Sequence, residues 1–241
     1  MRRSAVLLLL VCSACAPGCG DDGGGGGSDA SVDAGMTADA RPPCTKRWNS
    51  KKIGTAATSS ATVEGGFLVL RSSMSAQTDL RVVTSMMTLS GDFTLTVRFR
   101  DFVPGGLGAF VQAAISDPTI TTNAPLAAAG IGNFPQDGLS ATFQPGTADL
   151  KPTPMGDGLF RFTRTGAMVT INAATSTGSP TAAVAAAFTM SPLQIGLQIG
   201  TNNSTFNPES LIRFSDVTVS GGGAGGAAQN DSFDCDSLVQ Q

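Results

Sequence analysis

The side chains that most often carry enzyme chemistry are scarce in this sequence. The chain of 241 residues contains no histidine, the commonest general base and the commonest metal ligand in proteins. A Ser–His–Asp or Cys–His catalytic site is therefore excluded. Its only glutamates are Glu64 and Glu209, and neither has an acidic residue two positions away along a predicted strand.

Five cysteines fall into two groups. Cys12, Cys15 and Cys19 lie in or beside an N-terminal apolar run, whereas Cys44 and Cys235 bracket the part of the chain expected to fold. In an oxidising compartment, a pair of cysteines that flanks a domain favours a disulfide joining its two ends. We therefore predict a Cys44–Cys235 bond, with pairing to another molecule or to an unlipidated leader cysteine as the alternative. A zinc site is not expected, because it needs four clustered ligands.

Residues 1–19 have the features of a targeting signal. Arg2 and Arg3 precede an apolar run that is shorter than the roughly 20 residues needed to span a bilayer. Small residues precede Cys15 and Cys19, and the end of the run thereby resembles a bacterial lipoprotein signal, in which a small residue precedes the cysteine that is lipidated. The resemblance implies a lipid-anchored protein of the cell envelope, at the outer membrane, with simple secretion as the alternative.

Glycine-rich segments flank the part expected to fold. Residues 20–43 consist mostly of Gly, Ser, Asp, Ala and Thr, and such a segment cannot bury enough apolar surface to offset the entropy of ordering it. They are predicted to form a disordered N-terminal tether. Residues 221–241 are predicted to form a glycine-rich arm that carries Cys235 back to Cys44. The remaining residues, 44–220, are predicted to form one domain.

Gly91–Phe102 is the clearest strand in the sequence. Its apolar side chains fall at every second position, as Phe93, Leu95, Val97 and Phe99. A period of two places them on one face of a strand. Burial of each is worth roughly 1.5–3 kcal/mol, and a single strand cannot bury its own face, so a second layer must cover it.

Alternation and turn residues predict further strands along the chain. These are Thr62–Arg71 with a turn at Gly65-Gly66, Leu80–Leu89, Ala109–Ile115, Leu126–Ile131, Gly138–Phe143, Leu159–Ala173 with a turn at Thr165-Gly166, Leu193–Ile199 and Leu211–Val219. Gln144–Pro154 is predicted to be a loop. Ser179–Phe188 allows either a short helix or a strand. Met86 and Met87 are interpreted as core residues.

The order of these strands resembles that of the concanavalin A-like lectin/glucanase superfamily, in its laminin-G-like branch. The matching stretches are GGFLVLRS, GDFTLTVRFRDF, GLFRFTRTGAMVTI, PLQIGLQIGTN and LIRFSDVTVSG, which cover most of Ala61–Gly221. The resemblance implies an all-β fold, a two-sheet antiparallel jelly-roll sandwich with neighbouring chain ends. Glucanases of the superfamily carry Glu-x-Asp-x-x-Glu on one strand, and this motif is missing here, so we do not expect an enzyme.

Six residues are candidates for ligand binding. The ring of Trp48 could stack on a sugar, and the alternative is that it packs beneath the first strand. The other five lie in predicted loops that could converge: Asp117, Asn123, Asp137, Asn202 and Asn203. Calcium needs six to eight oxygen ligands, so Ca²⁺ is the one cofactor that these loops suggest. Solvated turn residues are the alternative, and no residue is assigned to a metal.

Together these features predict a non-catalytic, extracytoplasmic binding module that recognises a glycan or a surface protein. A structural or scaffold lipoprotein without a small ligand is one alternative, and a degenerate glycoside hydrolase is another. The net charge of −3 is mild and no basic cluster is present, which argues against nucleic-acid binding. Contact with the membrane is expected only through the lipid anchor.

Overall fold

Every regular element in the described part of the chain is a β-strand. The computed structural model describes residues 44–53, 58–73, 80–119, 126–133, 137–144, 146–189, 192–201, 209–223 and 229–241. Its strands are β1 (Trp48–Ile53), β2 (Thr58–Glu64), β3 (Phe67–Ser73), β4 (Leu80–Val103), β5 (Ala109–Ser116), β6 (Ala127–Asn133), β7 (Asp137–Phe143), β8 (Thr147–Pro152), β9 (Gly158–Thr165), β10 (Met168–Thr175), β11 (Thr181–Ala187), β12 (Leu193–Thr201), β13 (Ser210–Gly223), β14 (Gln229–Asp231) and β15 (Leu238–Gln240). Within these ranges no helix is long and apolar enough to cross a membrane.

The predicted leader and tether, residues 1–43, lie outside the described residues, and so do the candidate lipidation sites Cys15 and Cys19.

β4 connects the two layers of the fold. Its first half, up to Leu89, pairs with β1 on one side and β12 on the other. Its second half, from Phe93 onward, pairs with β9 and β13. Gly91 lies between the halves with a φ of 63°, a conformation that suits glycine far better than other residues. The two predicted strands Leu80–Leu89 and Gly91–Phe102 are therefore one strand of 24 residues that changes layer at this glycine.

The strands form two facing layers, which we name layer A and layer B. Layer A runs β11, β10, β9, the second half of β4, β13, β3 and β2, with β14 beside β13. Layer B runs β15, β1, the first half of β4, β12, β5, β6, β7 and β8. β10 and β11 pack over β6, β7 and β8, while β3 packs over β12. This architecture confirms the predicted all-β jelly-roll sandwich, although β1 and β15 pair in parallel.

Phenylalanine side chains fill the space between the layers, as the alternation predicted. Phe93 and Phe99 are 3% and 1% exposed, and the ring of Phe99 stacks on that of Phe160 with centroids 4.5 Å apart. Gly158 makes room for this stack, because a Cβ at that position would lie 2.6 Å from Cζ of Phe99 and 2.3 Å from the carbonyl oxygen of Ala174. The predicted inward face of Gly91–Phe102 is confirmed.

Two segments differ from their prediction or resolve an open alternative. Gln144–Pro154, predicted to be a loop, contains strand β8, which pairs with β7 at the edge of layer B. Ser179–Phe188 contains strand β11, so the helical alternative is wrong. In β11 the buried Ala182 and Val184 alternate with exposed residues, and the pairing with β10 extends the core of layer A.

The C-terminal segment belongs to the folded unit rather than extending from it. β13 continues to Gly223, β14 pairs with β13, and β15 pairs with β1. Phe233 is fully buried between these strands. Cys44 and Cys235 form the predicted disulfide, with their Cα atoms 5.8 Å apart. The described residues from 44 to 241 thus form one unit.

Candidate functional site

A cleft of about 520 Å³ opens between the two layers, close to the disulfide. Residues from four parts of the chain line it: the first residue of β1 with the segment before it, the middle of β4, the second half of β13, and β14. These residues are Lys46, Arg47, Trp48, Ser85, Met86, Met87, Val217, Val219, Gln229, Asn230 and Asp231. We call this feature the terminal cleft, because both ends of the domain contribute to it.

The terminal cleft exists because the β1–β4 ladder stops short. Pairing between these strands ends at Trp48 and Ser85, and one further hydrogen bond, from the N–H of Met86 to the carbonyl of Arg47 at 2.7 Å, closes it. Beyond that point β4 turns toward layer A and leaves the interior open. The side chain of Met86 is 45% exposed there, while Met87 packs against the core.

The floor of the terminal cleft is apolar and its rim is polar. Val217 and Val219 face inward from β13, and together with the two methionines they present carbon and sulfur surface. Asn230 on β14 is exposed and accepts a hydrogen bond of 3.4 Å from Thr218, whereas its Nδ2 group donates to no described residue. Such a combination of apolar floor and a few polar rim groups is typical of small-molecule sites.

The two cations of the rim are held by the C-terminal segment. Arg47 donates from Nη1 to the carbonyl oxygen of Asn230 at 2.9 Å, and Nζ of Lys46 lies 3.1 Å from Oδ2 of Asp236. The backbone N–H of Leu238 is the main cause that lowers the pKa of Asp236, and Lys46 contributes further. These contacts fix the position of the rim.

Trp48 is a wall of the terminal cleft rather than an open platform. Its side chain is only 3% exposed, its ring lies 6.1 Å from that of Phe233, and its Nε1 donates to Oδ2 of Asp231 at 2.8 Å. A tryptophan that stacks on a sugar must offer a free ring face to solvent. The structure therefore corrects the sugar-stacking interpretation of Trp48 in favour of the packed alternative.

Asp231 is the one carboxylate among the described residues that line the terminal cleft, and three donors occupy it. Oδ2 accepts from Trp48 and, at 3.3 Å, from the hydroxyl of Ser237. Oδ1 accepts from the backbone N–H of Phe233 at 3.0 Å. Asp231 thus organises the turn after β14 and holds the indole in place.

The predicted convergence of Asp117 and Asp137 is not observed. Asp117 follows β5, beside the start of β6, whereas Asp137 pairs with Asn133 at the end of β6. The seven residues of β6 place them about 20 Å apart at roughly 3.3 Å per residue. Asn123, Asn202 and Asn203 lie outside the described residues.

Each of the two aspartates instead has a local partner. Asp117 accepts from the backbone N–H and the hydroxyl of Thr119, and this hydroxyl is the first cause that lowers its pKa. Asp137 accepts from the amide of Asn133 at 2.9 Å. These are the contacts of turn residues, and within the described ranges no cluster of three metal-ligating side chains occurs. The suggested calcium site therefore has no support from these two positions.

Sequence reasoning did not identify the terminal cleft. The sequence predicts Met86 to be a core residue, which is wrong because its side chain is 45% exposed. Gln229 and Asn230 follow a glycine-rich run, and no strand is predicted for them. A weak signal was present, since the strand alternation of β4 breaks at Met86-Met87. A break of this kind shows where a strand leaves its layer, but not which other strands lie beside it.

Comparison with known proteins identifies the fold. No protein-family model matches the sequence, and no curated protein sequence matches it. One similar solved structure comes from the endo-acting O-glycanases that members of the human gut microbiota express to initiate mucin breakdown. It is 13% identical, with 73% of this chain and 92% of that chain covered and a TM-score of 0.52.

A legume lectin-like domain from Entamoeba histolytica is also similar, with 8% identity, 72% of this chain and 89% of that chain covered, and a TM-score of 0.50. At such identities the likeness shows the fold alone. The chain has a lectin-like β-sandwich fold, which agrees with the superfamily that its strand order resembles.

Proposed function

We propose that this protein is a non-catalytic, extracytoplasmic module that binds a glycan in the terminal cleft. The observation that carries the proposal is the cleft itself, with its apolar floor, polar rim and volume of about 520 Å³. Ligand sites of this type are commonly 300–1,000 Å³ in volume, so a short stretch of sugar units would fit. The lectin-like fold supports a glycan over other small ligands.

The side chains of the cleft suggest how a sugar would be held. The exposed thioether of Met86 offers a soft apolar surface for the C–H face of a sugar ring. The amide of Asn230 offers donors for hydroxyl oxygens, and Lys46 remains partly exposed beside its aspartate. This arrangement relies on a methionine where many sugar sites use an aromatic ring.

The distribution of carboxylates supports a non-catalytic role. Hydrolysis of a glycosidic bond uses two carboxyl groups, about 5–5.5 Å apart in retaining enzymes and further apart in inverting ones. Asp231 is the one such group among the described lining residues, and its oxygens already accept three hydrogen bonds. A degenerate glycoside hydrolase is therefore the weaker alternative.

Glycan binding can be tested with one matched pair of variants. Met86→Glu places a charge on the cleft floor, whereas Met168→Glu makes the same change at a methionine of equal exposure outside the cleft; these residues are 45% and 46% exposed. After a glycan array identifies a ligand, calorimetry should show at least about ten-fold weaker binding for Met86→Glu and no change for Met168→Glu. Equal affinities in both variants would refute the cleft as the site. An array without any bound glycan would favour the structural or scaffold alternative.

We also propose that the module is anchored in the cell envelope by a lipid on Cys15 or Cys19, as the leader suggests. The Cys44–Cys235 disulfide supports the extracytoplasmic part of this proposal, because such bonds persist in oxidising compartments. Mass spectrometry of the mature protein should find a lipidated N-terminal cysteine, and the change of that cysteine to serine should release the protein from membranes. An unmodified N-terminus beyond Cys19 would rule out the anchor and favour secretion.

A further inference from the structure

Arg81 is a buried cation without an acidic partner among the residues that the structure describes. It lies on the first half of β4, its side chain faces the interior, and it is 7% exposed. None of the ion pairs between described residues includes it. Its one side-chain hydrogen bond to a described residue runs from Nη2 to Oε1 of Gln240, a neutral acceptor, and its Nε has no described partner. A buried charge normally has a counter-ion, because desolvation without one is costly.

The strand register places further polar groups beside Arg81. β1 lies between β4 and β15, and within it Ser50 is paired with Gln240 on one side and Val83 on the other. The bond from Arg81 to Gln240 therefore crosses β1 next to Ser50. The hydroxyl of Ser50 is fully buried and has no partner.

Layer A presents unpaired hydroxyls toward the same place. Nε2 of Gln240 donates to the carbonyl oxygen of Ala61 on β2 at 2.7 Å, which joins the two layers at this end. Ser59 lies two residues before Ala61 on the same face, and it is paired in register with Ser72 on β3. The hydroxyls of Ser59 and Ser72 are also buried without a partner.

A second cation lies beside Arg81 on the neighbouring strand. Lys52 is exposed and stands directly opposite Arg81 in the β1–β4 register, so both side chains extend from the same face. Like charges in directly opposed positions destabilise a strand pair. An anion between the two cations would reverse that effect and supply acceptors for the unpaired Nε–H and hydroxyl groups.

We propose that this interior end of the sandwich, formed by Arg81, Ser50, Ser59, Ser72 and Lys52, binds a small oxyanion. A sulfate, phosphate or carboxylate group matches the planar donor fork of an arginine and the short reach of serine hydroxyls. The group can be a free ion or the acidic substituent of a sugar. The site is separate from the terminal cleft, since Lys52 and Trp48 lie at opposite ends of β1.

The first test measures anion-dependent stability of the full chain. The melting temperature is followed during titration with sulfate, phosphate, glucuronate or glucose, with sodium chloride keeping the ionic strength constant. Specific binding predicts a rise that is steep near the dissociation constant and follows only the logarithm of anion concentration above it, whereas the general effect of sulfate on protein stability grows in proportion to concentration. A logarithmic rise with sulfate or phosphate alone supports a site for a free ion, and a logarithmic rise with glucuronate but not glucose supports an acidic sugar.

Variants connect the effect to the cluster. Arg81→Met should abolish the logarithmic rise, and Arg71→Met is the control, because Arg71 is paired with Glu64 on the surface. If Arg81→Met fails to fold, the double variant Ser50→Ala with Ser72→Ala keeps the arginine and should weaken the apparent affinity several-fold.

A crystal grown with selenate gives a direct readout, since an anomalous peak is expected within hydrogen-bond distance of Nε of Arg81. A rise proportional to concentration that is equal in wild type and Arg81→Met, or water alone at the cluster, would overturn the proposal.

Discussion

Asp149 links the outer strands of the two layers. Its Oδ2 accepts a hydrogen bond of 2.9 Å from the backbone N–H of Ala183, which joins β8 to β11, and its Oδ1 lies 3.1 Å from Nζ of Lys151. The N–H of Ala183 is the main cause that holds the pKa of Asp149 below its usual value of 3.8, and Lys151 adds to the effect. Because the folded pKa is depressed, this stabilisation is fully present above the unfolded pKa and is lost as pH falls through the folded pKa.

Asp149→Asn is therefore expected to lower the free energy of unfolding by about 1 kcal/mol at neutral pH, since a neutral amide is a weaker acceptor. The difference from wild type should shrink below about pH 4, where protonation removes the same charge from the wild-type side chain. Urea unfolding at a series of pH values measures both effects.

Glu209→Gln is the control for this prediction, because Glu209 is exposed, lies outside the strands and accepts no hydrogen bond from a described residue. It should change stability little at any pH. If the free energy of unfolding of wild type exceeds that of Asp149→Asn by the same amount at acidic pH, the role given to the carboxylate is contradicted.

Other single residues show which side-chain positions can be predicted from the neighbouring sequence and which cannot. The inward position of Phe93 and Phe99 follows from alternation alone, because neighbouring side chains of a strand must point to opposite faces. The burial of Trp48 does not follow from its neighbours in sequence. It depends on Phe233 and Asp231, which are more than 180 residues away along the chain and reach the indole only after folding.

At the scale of elements, the strands that bury one face could be predicted from the sequence, whereas an exposed strand such as β8 could not. β9 and β10 alternate clearly and form the expected hairpin. β8 is almost entirely exposed, so it carries no apolar alternation, and Pro152 at its end is tolerated because the strand lies at the edge of layer B. Its strand conformation comes from pairing with β7, which no local pattern records.

β4 illustrates a related limit. The sequence predicts two strands in this region, and both are present in the structure. It does not predict that they form one continuous strand through Gly91. A glycine between two strands is compatible with a turn, a bulge or a change of layer. Only the different partners of its two halves decide that β4 passes from layer B to layer A, and this passage creates the open floor of the terminal cleft.

At the scale of the whole molecule, the Cys44–Cys235 disulfide closes nearly the entire domain, because the two cysteines are 191 positions apart in the sequence. On the chain-entropy model a loop of this length contributes about 5 kcal/mol of stability, and removal of a native disulfide commonly costs about 2–5 kcal/mol. Cys44→Ser and Cys235→Ser should therefore lower the urea midpoint, and each should unfold like the reduced wild type.

The same change is expected to reach the terminal cleft. Its rim is formed by β14 and the segment leading into β1. The disulfide holds these two parts of the chain close together, and the ion pair between Lys46 and Asp236 lies beside it. Reduction should weaken ligand binding along with stability. An unchanged midpoint after reduction, with two reactive thiols detected, would show that the bond contributes nothing to the folded state.

The sequence by itself determined that the chain is all-β and which faces of its strong strands point inward, because both follow from the period of the side chains along a strand. It favoured the Cys44–Cys235 bond without excluding the alternatives, and the structure decided between them. The tertiary structure alone decided that the C-terminal segment belongs to the sandwich, where the terminal cleft opens and why Asp117 and Asp137 lie apart. Strand pairing sets all three, because hydrogen bonds between backbones carry no side-chain signature and bring together residues far apart in the chain.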